Sequence, residues 1–182
     1  KTGYLTKVPD NSLGHKGIKY LQYYGVDTSN IKIGGERLGI YFLEKGYSVR
    51  SSSVIYDRNY SSFSEIELTD NEITDILKNY DIVFLSGITV AVSEKTFELS
   101  RKIVKLAKEM GKEVVFDCNY RSKLLTLKEA SIKYREILPY VDILFAGYLD
   151  FINIFGIEHK MYSGEDYDKY YYKVPRTPLS CV

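Results

Sequence analysis

From Asp81 to Gly156 the sequence alternates strand, helix, strand, helix, strand, helix, and that order leaves few folds open. Asp81–Leu85 carries the apolar run Ile82-Val83-Phe84-Leu85 of a buried strand and ends at Ser86-Gly87. A helix is predicted from about Ser93 to Met110, with Leu99, Ile103, Leu106 and Met110 as its sheet-facing stripe and Gly111 as its stop. The strand Glu113-Val114-Val115-Phe116 follows, then a helix from about Leu127 to Leu138 stopped by Pro139. A strand at Val141–Phe145 and a short helix at Leu149–Phe155, ended by Gly156, complete the series. Such alternation is the pattern of right-handed βαβ units in a parallel sheet covered by helices. Three strand tips, at Ser86-Gly87, Asp117 to Arg121 and Ala146-Gly147, are thereby predicted along one edge, where the loops of an open α/β sheet form ligand crevices.

The first part of the chain has a different texture. Leu13, Ile18, Leu21 and Tyr24 recur at helical spacing from Ser12 to Tyr24, and Gly25 follows as a C-terminal stop. A strand is expected at Ile31–Ile33, a turn at Gly34-Gly35, and two strands at Leu38–Leu43 and Ser53–Arg58 joined through the Lys45-Gly46 region as a hairpin or clasp. Thr69-Asp70-Asn71-Glu72 has capping-box spacing and leads into a helix with Ile73, Ile76, Leu77 and Tyr80 on one face. The expected fold is α/β: a three-layer αβα arrangement with a parallel central sheet and a small β-sheet lid, in partial form. Residues 1–156 form that partial domain, with lid strands at about 31–65 and βα units at about 69–156, and 157–182 form an irregular, Tyr-rich tail with Pro175 and Pro178. Both ends predict a piece of a longer protein.

Composition excludes more than it selects. The 25 basic and 24 acidic residues are interspersed and leave a net charge of +1, so no clustered basic excess marks a nucleic-acid partner. No apolar run approaches the roughly 18 residues that would span a bilayer, so no membrane partner is expected. Cys118 and Cys181 make neither a disulfide framework nor a metal knuckle, and a reducing, cytoplasmic setting is the expectation. His15 and His159 are isolated and read as surface residues; Cys118 reads as a small buried filler. Tyr170-Tyr171-Tyr172 reads equally as a partner contact or as tail.

Two groups of residues carry chemistry. Asp117-Cys118-Asn119-Tyr120-Arg121 places a carboxylate, an amide, a phenol and a guanidinium at a strand's carboxyl end, which suits an anion or metal site and equally suits a solvated loop that caps a helix. In the second group, side chains two apart on a strand share a face, so Tyr56 and Arg58 point the same way and Tyr41 joins them if the two strands pair. An arginine beside two phenols suits a small hydroxylated carboxylate; an exposed sheet face with an arginine lying over tyrosines accounts for the same residues as well. No Gly-x-Gly-x-x-Gly follows any strand and no P-loop lysine motif occurs.

Leu38-Gly39-Ile40-Tyr41-Phe42-Leu43, Tyr56-Asp57-Arg58, Leu85-Ser86-Gly87-Ile88-Thr89 and Phe116-Asp117-Cys118-Asn119-Tyr120-Arg121 resemble successive blocks of the ribokinase-like (PfkB) carbohydrate kinases, and within them the branch acting on 2-keto-3-deoxygluconate. The resemblance runs from about Asp10 to Gly156. It implies transfer of the ATP γ-phosphoryl group, with Mg2+, to the terminal hydroxyl of a keto-sugar acid. It places Tyr41, Tyr56 and Arg58 on the sugar acid, Arg58 on its carboxylate, and Asn119, Tyr120 and Arg121 at the nucleotide phosphates, Arg121 also stabilising the transferring phosphoryl group. It further implies that the hairpin is a lid over the sugar and a contact between copies in a homo-oligomer.

The family's Gly-Ala-Gly-Asp motif, with its catalytic aspartate, does not occur in these 182 residues, and Ser163-Gly164-Glu165-Asp166 is a poor substitute. The glycine- and asparagine-bearing sugar block is also absent upstream of Lys1. Where the family carries Asn-x-x-Glu for magnesium and phosphate, this chain has Gly147-Tyr148-Leu149-Asp150, so Asp150 retains part of that role. Three readings follow: the central portion of a sugar-acid kinase, a non-catalytic sugar-binding or dimerising module, or a fructokinase-type enzyme. Arg58 separates the first from the third, because a neutral hexose offers it no carboxylate.

Overall fold

Lys7–Val8 (β1) and Lys32–Ile33 (β2) pair in parallel, Lys7 opposite Lys32 and Val8 opposite Ile33. Between them runs α1, Ser12–Tyr23, whose open amides at Leu13 and Gly14 donate to the Asn11 side chain; an asparagine N-cap satisfies donors that the helix itself leaves without acceptors. Gly14 packs so closely on Pro9 that a Cβ would lie 2.1 Å from the Pro9 carbonyl oxygen. Ile40–Glu44 (β3) and Ser53–Asp57 (β4) form an antiparallel hairpin in which Tyr41 opposes Tyr56 and Phe42 opposes Ile55. The segment at Ile31–Ile33, expected among the lid strands, pairs with β1 and not with this hairpin. A two-residue strand such as β1 carries no periodicity, so the sequence does not announce it.

These elements belong to a unit spanning Lys1–Glu67, and a second unit spans Leu68–Val182. The computed structural model describes residues 1–157 and the backbone of residues 172 and 173. His159, the Ser163 to Asp166 segment, Tyr170, Tyr171, Pro175, Pro178 and Cys181 lie outside the described residues. Among the described residues no helix is long and apolar enough to cross a membrane.

The second unit holds the alternating series: α2 (Asp70–Leu77), β5 (Ile82–Ser86), α3 (Gly87–Val92), α4 (Glu94–Glu109), β6 (Glu113–Asp117), α5 (Leu127–Ile137), β7 (Ile143–Phe145), α6 (Tyr148–Asn153) and β8 (Tyr172–Lys173). The sheet order is β5-β6-β7-β8, with the first three strands parallel and β8 antiparallel to β7. Register aligns Ser86 with Asp117 and Asp117 with Phe145, so the three strand tips stand side by side as predicted. Val114, Phe116, Val104, Ala130, Tyr134 and Ile137 form the centre of the core, each 1 % exposed or less. Full burial of an aliphatic or aromatic side chain of this size contributes roughly 1.5–3 kcal/mol.

Helix α4 begins where predicted, with Ser93 and Thr96 forming a capping box. Its buried face differs from the predicted stripe: Phe97, Ser100, Val104 and Ala107 point inward together with Leu99, while Ile103 and Leu106 are only half-buried. Small residues explain the rotation, since Ser100 and Ala107 allow close approach and the Ser100 hydroxyl donates to the Thr96 carbonyl at 2.7 Å. Helix α3 was not predicted, because Ile88-Thr89-Val90 is β-branched and favours a strand; the Ser86 hydroxyl caps it by accepting from Ile88 N, and Gly87 and Val90 are buried. Pro139 ends α5 and enters a following 3-10 turn, Leu138–Tyr140.

Candidate functional site

In the hairpin, residues directly opposed across an antiparallel pair share a face, so the register brings Tyr41 and Tyr56 side by side. Arg58 follows β4, and its guanidinium carbon lies 4.6 Å from the centroid of the Tyr56 ring, within cation–π range. The three residues that sequence spacing grouped are therefore together. Tyr41 is 57 % exposed, and Tyr56 and Arg58 are half-buried.

Asp57, on the opposite face, is engaged by a residue that the sequence did not single out. Arg37 donates from Nη1 to Oδ1 at 2.6 Å and from Nη2 to Oδ2 at 2.5 Å, and it also donates to the carbonyls of Asp57 and Asn59. This two-pronged, charge-assisted contact is the strong form of an ion pair. The hydrogen bond from Arg37 holds the Asp57 carboxyl below the usual carboxylate range, and the same bond raises the Arg37 guanidinium. One arginine is thus neutralised inside the hairpin. Arg58 makes no ion pair with a described residue, and a guanidinium without an acid partner, beside two phenols, can grip a carboxylate and its neighbouring hydroxyls.

In the second unit a pocket of about 450 Å3 opens at the tip of β6, with Asn119, Tyr120 and Arg121 on one wall and Asp150 and Asn153 of α6 on the other. The structure thereby brings the Asn119 to Arg121 segment together with Asp150, and adds Asn153, which the sequence did not mark. Asn119 takes φ +36°, a left-handed conformation that asparagine tolerates better than most residues. Its amide N–H donates to Asp117 Oδ1 at 3.1 Å and its side chain donates to Ser86 Oγ at 3.3 Å. Tyr120 donates to the Leu125 carbonyl at 3.0 Å. Arg121 is exposed and makes no ion pair with a described residue. Asp150 accepts from Gly147 N at 2.8 Å, which uses one of its two oxygens.

Behind the first wall the packing is tight. Cys118 is fully buried; burial above all, then the nearby Asp150 and Asp117 charges, pushes its thiol well up, so it is an inert filler and not a reactive thiolate. Tyr134 of α5, 1 % exposed, donates to the Cys118 carbonyl at 2.9 Å, and its ring meets Phe116 edge-on at 5.1 Å. A Cβ on Gly87 would lie 2.0 Å from that carbonyl oxygen and 2.3 Å from the Tyr134 hydroxyl, so only glycine fits. At the second wall Arg135 donates to the Phe155 carbonyl at 2.6 Å. Sequence reasoning passed over Tyr134 and Arg135 because both lie in a regular helix more than ten residues from their partners.

Known proteins resemble this chain in sequence and fold. The pfkB family carbohydrate kinase profile matches residues 1–174. The 2-dehydro-3-deoxygalactonokinase of Haloferax volcanii is 33 % identical over 147 residues, which are 81 % of this chain and 46 % of that protein. The 5-dehydro-2-deoxygluconokinase of Clostridium botulinum is 36 % identical over 124 residues, 66 % of this chain and 35 % of that protein. Among solved structures, 2-dehydro-3-deoxygluconokinase from Thermotoga maritima superposes with a TM-score of 0.82 at 35 % identity, covering 91 % of this chain and 51 % of that one. The chain therefore spans about a third to a half of the length of these relatives, and the α/β fold expected from its alternating elements is the ribokinase-like one. By the reach of the family match and the agreement of fold, the chain belongs to the pfkB family of carbohydrate kinases.

Proposed function

We propose that the chain is part of a cytoplasmic kinase that moves the ATP γ-phosphoryl group to the terminal hydroxyl of a keto-sugar acid of the 2-keto-3-deoxygluconate type. The observation that carries the acid is the division of labour between two arginines: Arg37 is neutralised by Asp57, while Arg58 lies over Tyr56 without an acid partner among the described residues. Arg58 grips the carboxylate, and Tyr41 and Tyr56 bond to the hydroxyls. The names of the relatives support this reading, since each is a kinase of a deoxy keto-sugar or a sugar acid derivative.

The nucleotide phosphates are assigned to the pocket lined by Asn119, Tyr120 and Arg121. Phosphoryl transfer asks a protein mainly for positioning and charge neutralisation, and the exposed Arg121 supplies the charge. The donor set fits a magnesium–phosphate complex. Mg2+ keeps most of its ligands as water and phosphate oxygen and takes one or two carboxylates; Asp150 offers one, with the Asn119 and Asn153 amides beside it. Among the described residues no group of three or more His, Cys, Asp or Glu side chains could hold a metal by itself, so Asp150 would hold the ion jointly with the nucleotide. Bound there, magnesium supplies charge neutralisation of the phosphates. The Gly-Ala-Gly-Asp aspartate is not among these 182 residues, so the chain as it stands is proposed to bind both ligands without turning them over, and to form a homo-oligomer through the hairpin.

The test is a pair of titrations. The 182-residue chain is titrated with 2-keto-3-deoxygluconate and with fructose, and the measurement is repeated with Arg58→Ala. Loss of a charge-assisted, two-pronged contact lowers acid affinity on the order of 10- to 100-fold and leaves fructose binding unchanged. Equal binding of acid and neutral sugar by the unaltered chain would replace this reading with a fructokinase-type one.

A further inference from the structure

Helix α5 touches both walls of the nucleotide pocket through consecutive residues. Tyr134 holds the backbone at Cys118, one residue before Asn119, and Arg135 holds the carbonyl of Phe155, just past α6. We infer that Tyr134 and Arg135 are positioning residues that set the spacing between the Asn119–Arg121 wall and the Asp150–Asn153 wall. This inference rests on the reading of that pocket as the phosphate site.

The first wall needs an external hold. Asn119 sits in a left-handed conformation, which asparagine tolerates but populates less than the right-handed one. Its own bonds, to Asp117 Oδ1 and Ser86 Oγ, are 3.1 and 3.3 Å long. The shorter 2.9 Å bond from Tyr134 is buried, and there a hydrogen bond gains strength while an unpaired carbonyl is costly. Gly87 packs beside that bond, where a side chain would meet the Cys118 carbonyl oxygen and the Tyr134 hydroxyl together. The carbonyl is therefore held by α5 beside β5's tip. Burial also pushes the Tyr134 hydroxyl up, so it remains a donor throughout the neutral and mildly alkaline range.

The second wall is held differently. Helix α6 is one short helical segment, Tyr148–Asn153, and short helices depend on tertiary contacts for their order. Arg135 supplies such a contact at its far end, with a charged donor on the Phe155 carbonyl. Its Nε also donates to Ser131 Oγ at 3.3 Å, which fixes the guanidinium on α5. Because Tyr134 and Arg135 are adjacent on one rigid helix, a shift of α5 moves both walls together and preserves the gap that the phosphates enter.

The experiment compares the 182-residue chain with Tyr134→Phe, Arg135→Ala, Arg135→Lys and Gly87→Ala, by hydrogen exchange along the chain and by titration with ATP and tripolyphosphate. In Tyr134→Phe the amides of 117–121 are expected to exchange about tenfold faster, as loss of one buried hydrogen bond implies, while β5 and α4 keep their protection. Arg135→Ala should loosen 147–155 by a similar factor, and Arg135→Lys should restore part of the protection because it keeps a charged donor. Each loosened variant should bind ATP and tripolyphosphate about tenfold more weakly. Gly87→Ala, whose methyl would crowd both ends of the same hydrogen bond, should reproduce the Tyr134→Phe pattern. Unchanged exchange in both segments, or a uniform rise across the whole unit, would overturn the inference. Local loosening in a chain whose unaltered form binds neither ATP nor tripolyphosphate would support the hold of α5 on the two walls and sink the nucleotide reading instead.

Discussion

Asp57 and Arg58 are neighbours in sequence on opposite faces of one strand end, and the structure gives them opposite tasks. Asp57 satisfies Arg37 at the end of β4, while Arg58 lies over the Tyr56 ring and makes no ion pair with a described residue. Because Arg37 lowers the Asp57 pKa on folding, the pair contributes stability above the unfolded value of about 3.9 and loses it as pH falls through the depressed folded value. An NMR titration of the Asp57 carboxyl is expected to show a midpoint below 3.9, and a midpoint at or above it would contradict the pairing. Asp57→Asn removes the charge that neutralises Arg37. Protection of the β3–β4 amides should then be lower at pH 7 than in the unaltered chain, with no further loss at the Asp57 end between pH 5 and 3. Freed from Asp57, Arg37 becomes a second acid receptor, so binding of sugar acids should lose some of its dependence on Arg58.

The helices of the second unit owe their starts to side chains that close open backbone amides. Thr69 with Glu72, Ser93 with Thr96, and Thr126 with Glu129 each form a capping box. Thr126→Ala should cost about 1 kcal/mol of stability, measured as a lower denaturant midpoint. Because α5 carries Tyr134, it should also speed exchange at 117–121 more than in α2. The start at Thr69 was legible because its cap is a local pattern of four residues, whereas the caps at Ser93 and Thr126 were not singled out from the sequence. The strands at Ile82–Ser86 and Glu113–Asp117 were legible for a like reason, as apolar runs between turn residues. What escaped was set by distance: the turn to helix at Ile88 overrides a β-branched segment through burial of Val90, and the β1–β2 pairing joins two-residue strands across α1. The candidate sites divide in the same way. Tyr41, Tyr56 and Arg58 could be grouped from the period of two, whereas the pairing of Arg37 with Asp57 and the meeting of Asp150 with Asn119 join residues about 20 to 30 apart, and nothing local in the sequence encodes them.

At the scale of the whole molecule two apolar surfaces exposed among the described residues bear on how the chain behaves in solution. In the hairpin, Phe42 and Ile55 oppose each other and are 57 % and 60 % exposed, and Leu43 on the other face is also exposed. In the sheet of the second unit, β5 pairs with β6 alone among the described strands and shows Ile82 and Phe84, the latter 63 % exposed. An edge strand or a thin sheet with apolar side chains on view is a surface for association. The two differ in what they can offer a second copy. A two-stranded hairpin presents matched cross-strand pairs that can stack face to face between copies and bury Phe42 and Ile55 symmetrically; the β5 edge presents backbone groups preceded by the charged Asp81, which disfavours pairing with an identical edge. The hairpin is therefore expected to govern self-association. Analytical ultracentrifugation should show a dimer of the 182-residue chain that Phe42→Ser with Ile55→Ser converts to monomer, while Phe84→Ser leaves it intact. The reverse result would move the contact to β5 and remove the hairpin from the proposed assembly. Each buried aromatic or aliphatic side chain contributes roughly 1.5–3 kcal/mol, so a double substitution on both copies removes enough to shift a micromolar dimer beyond detection.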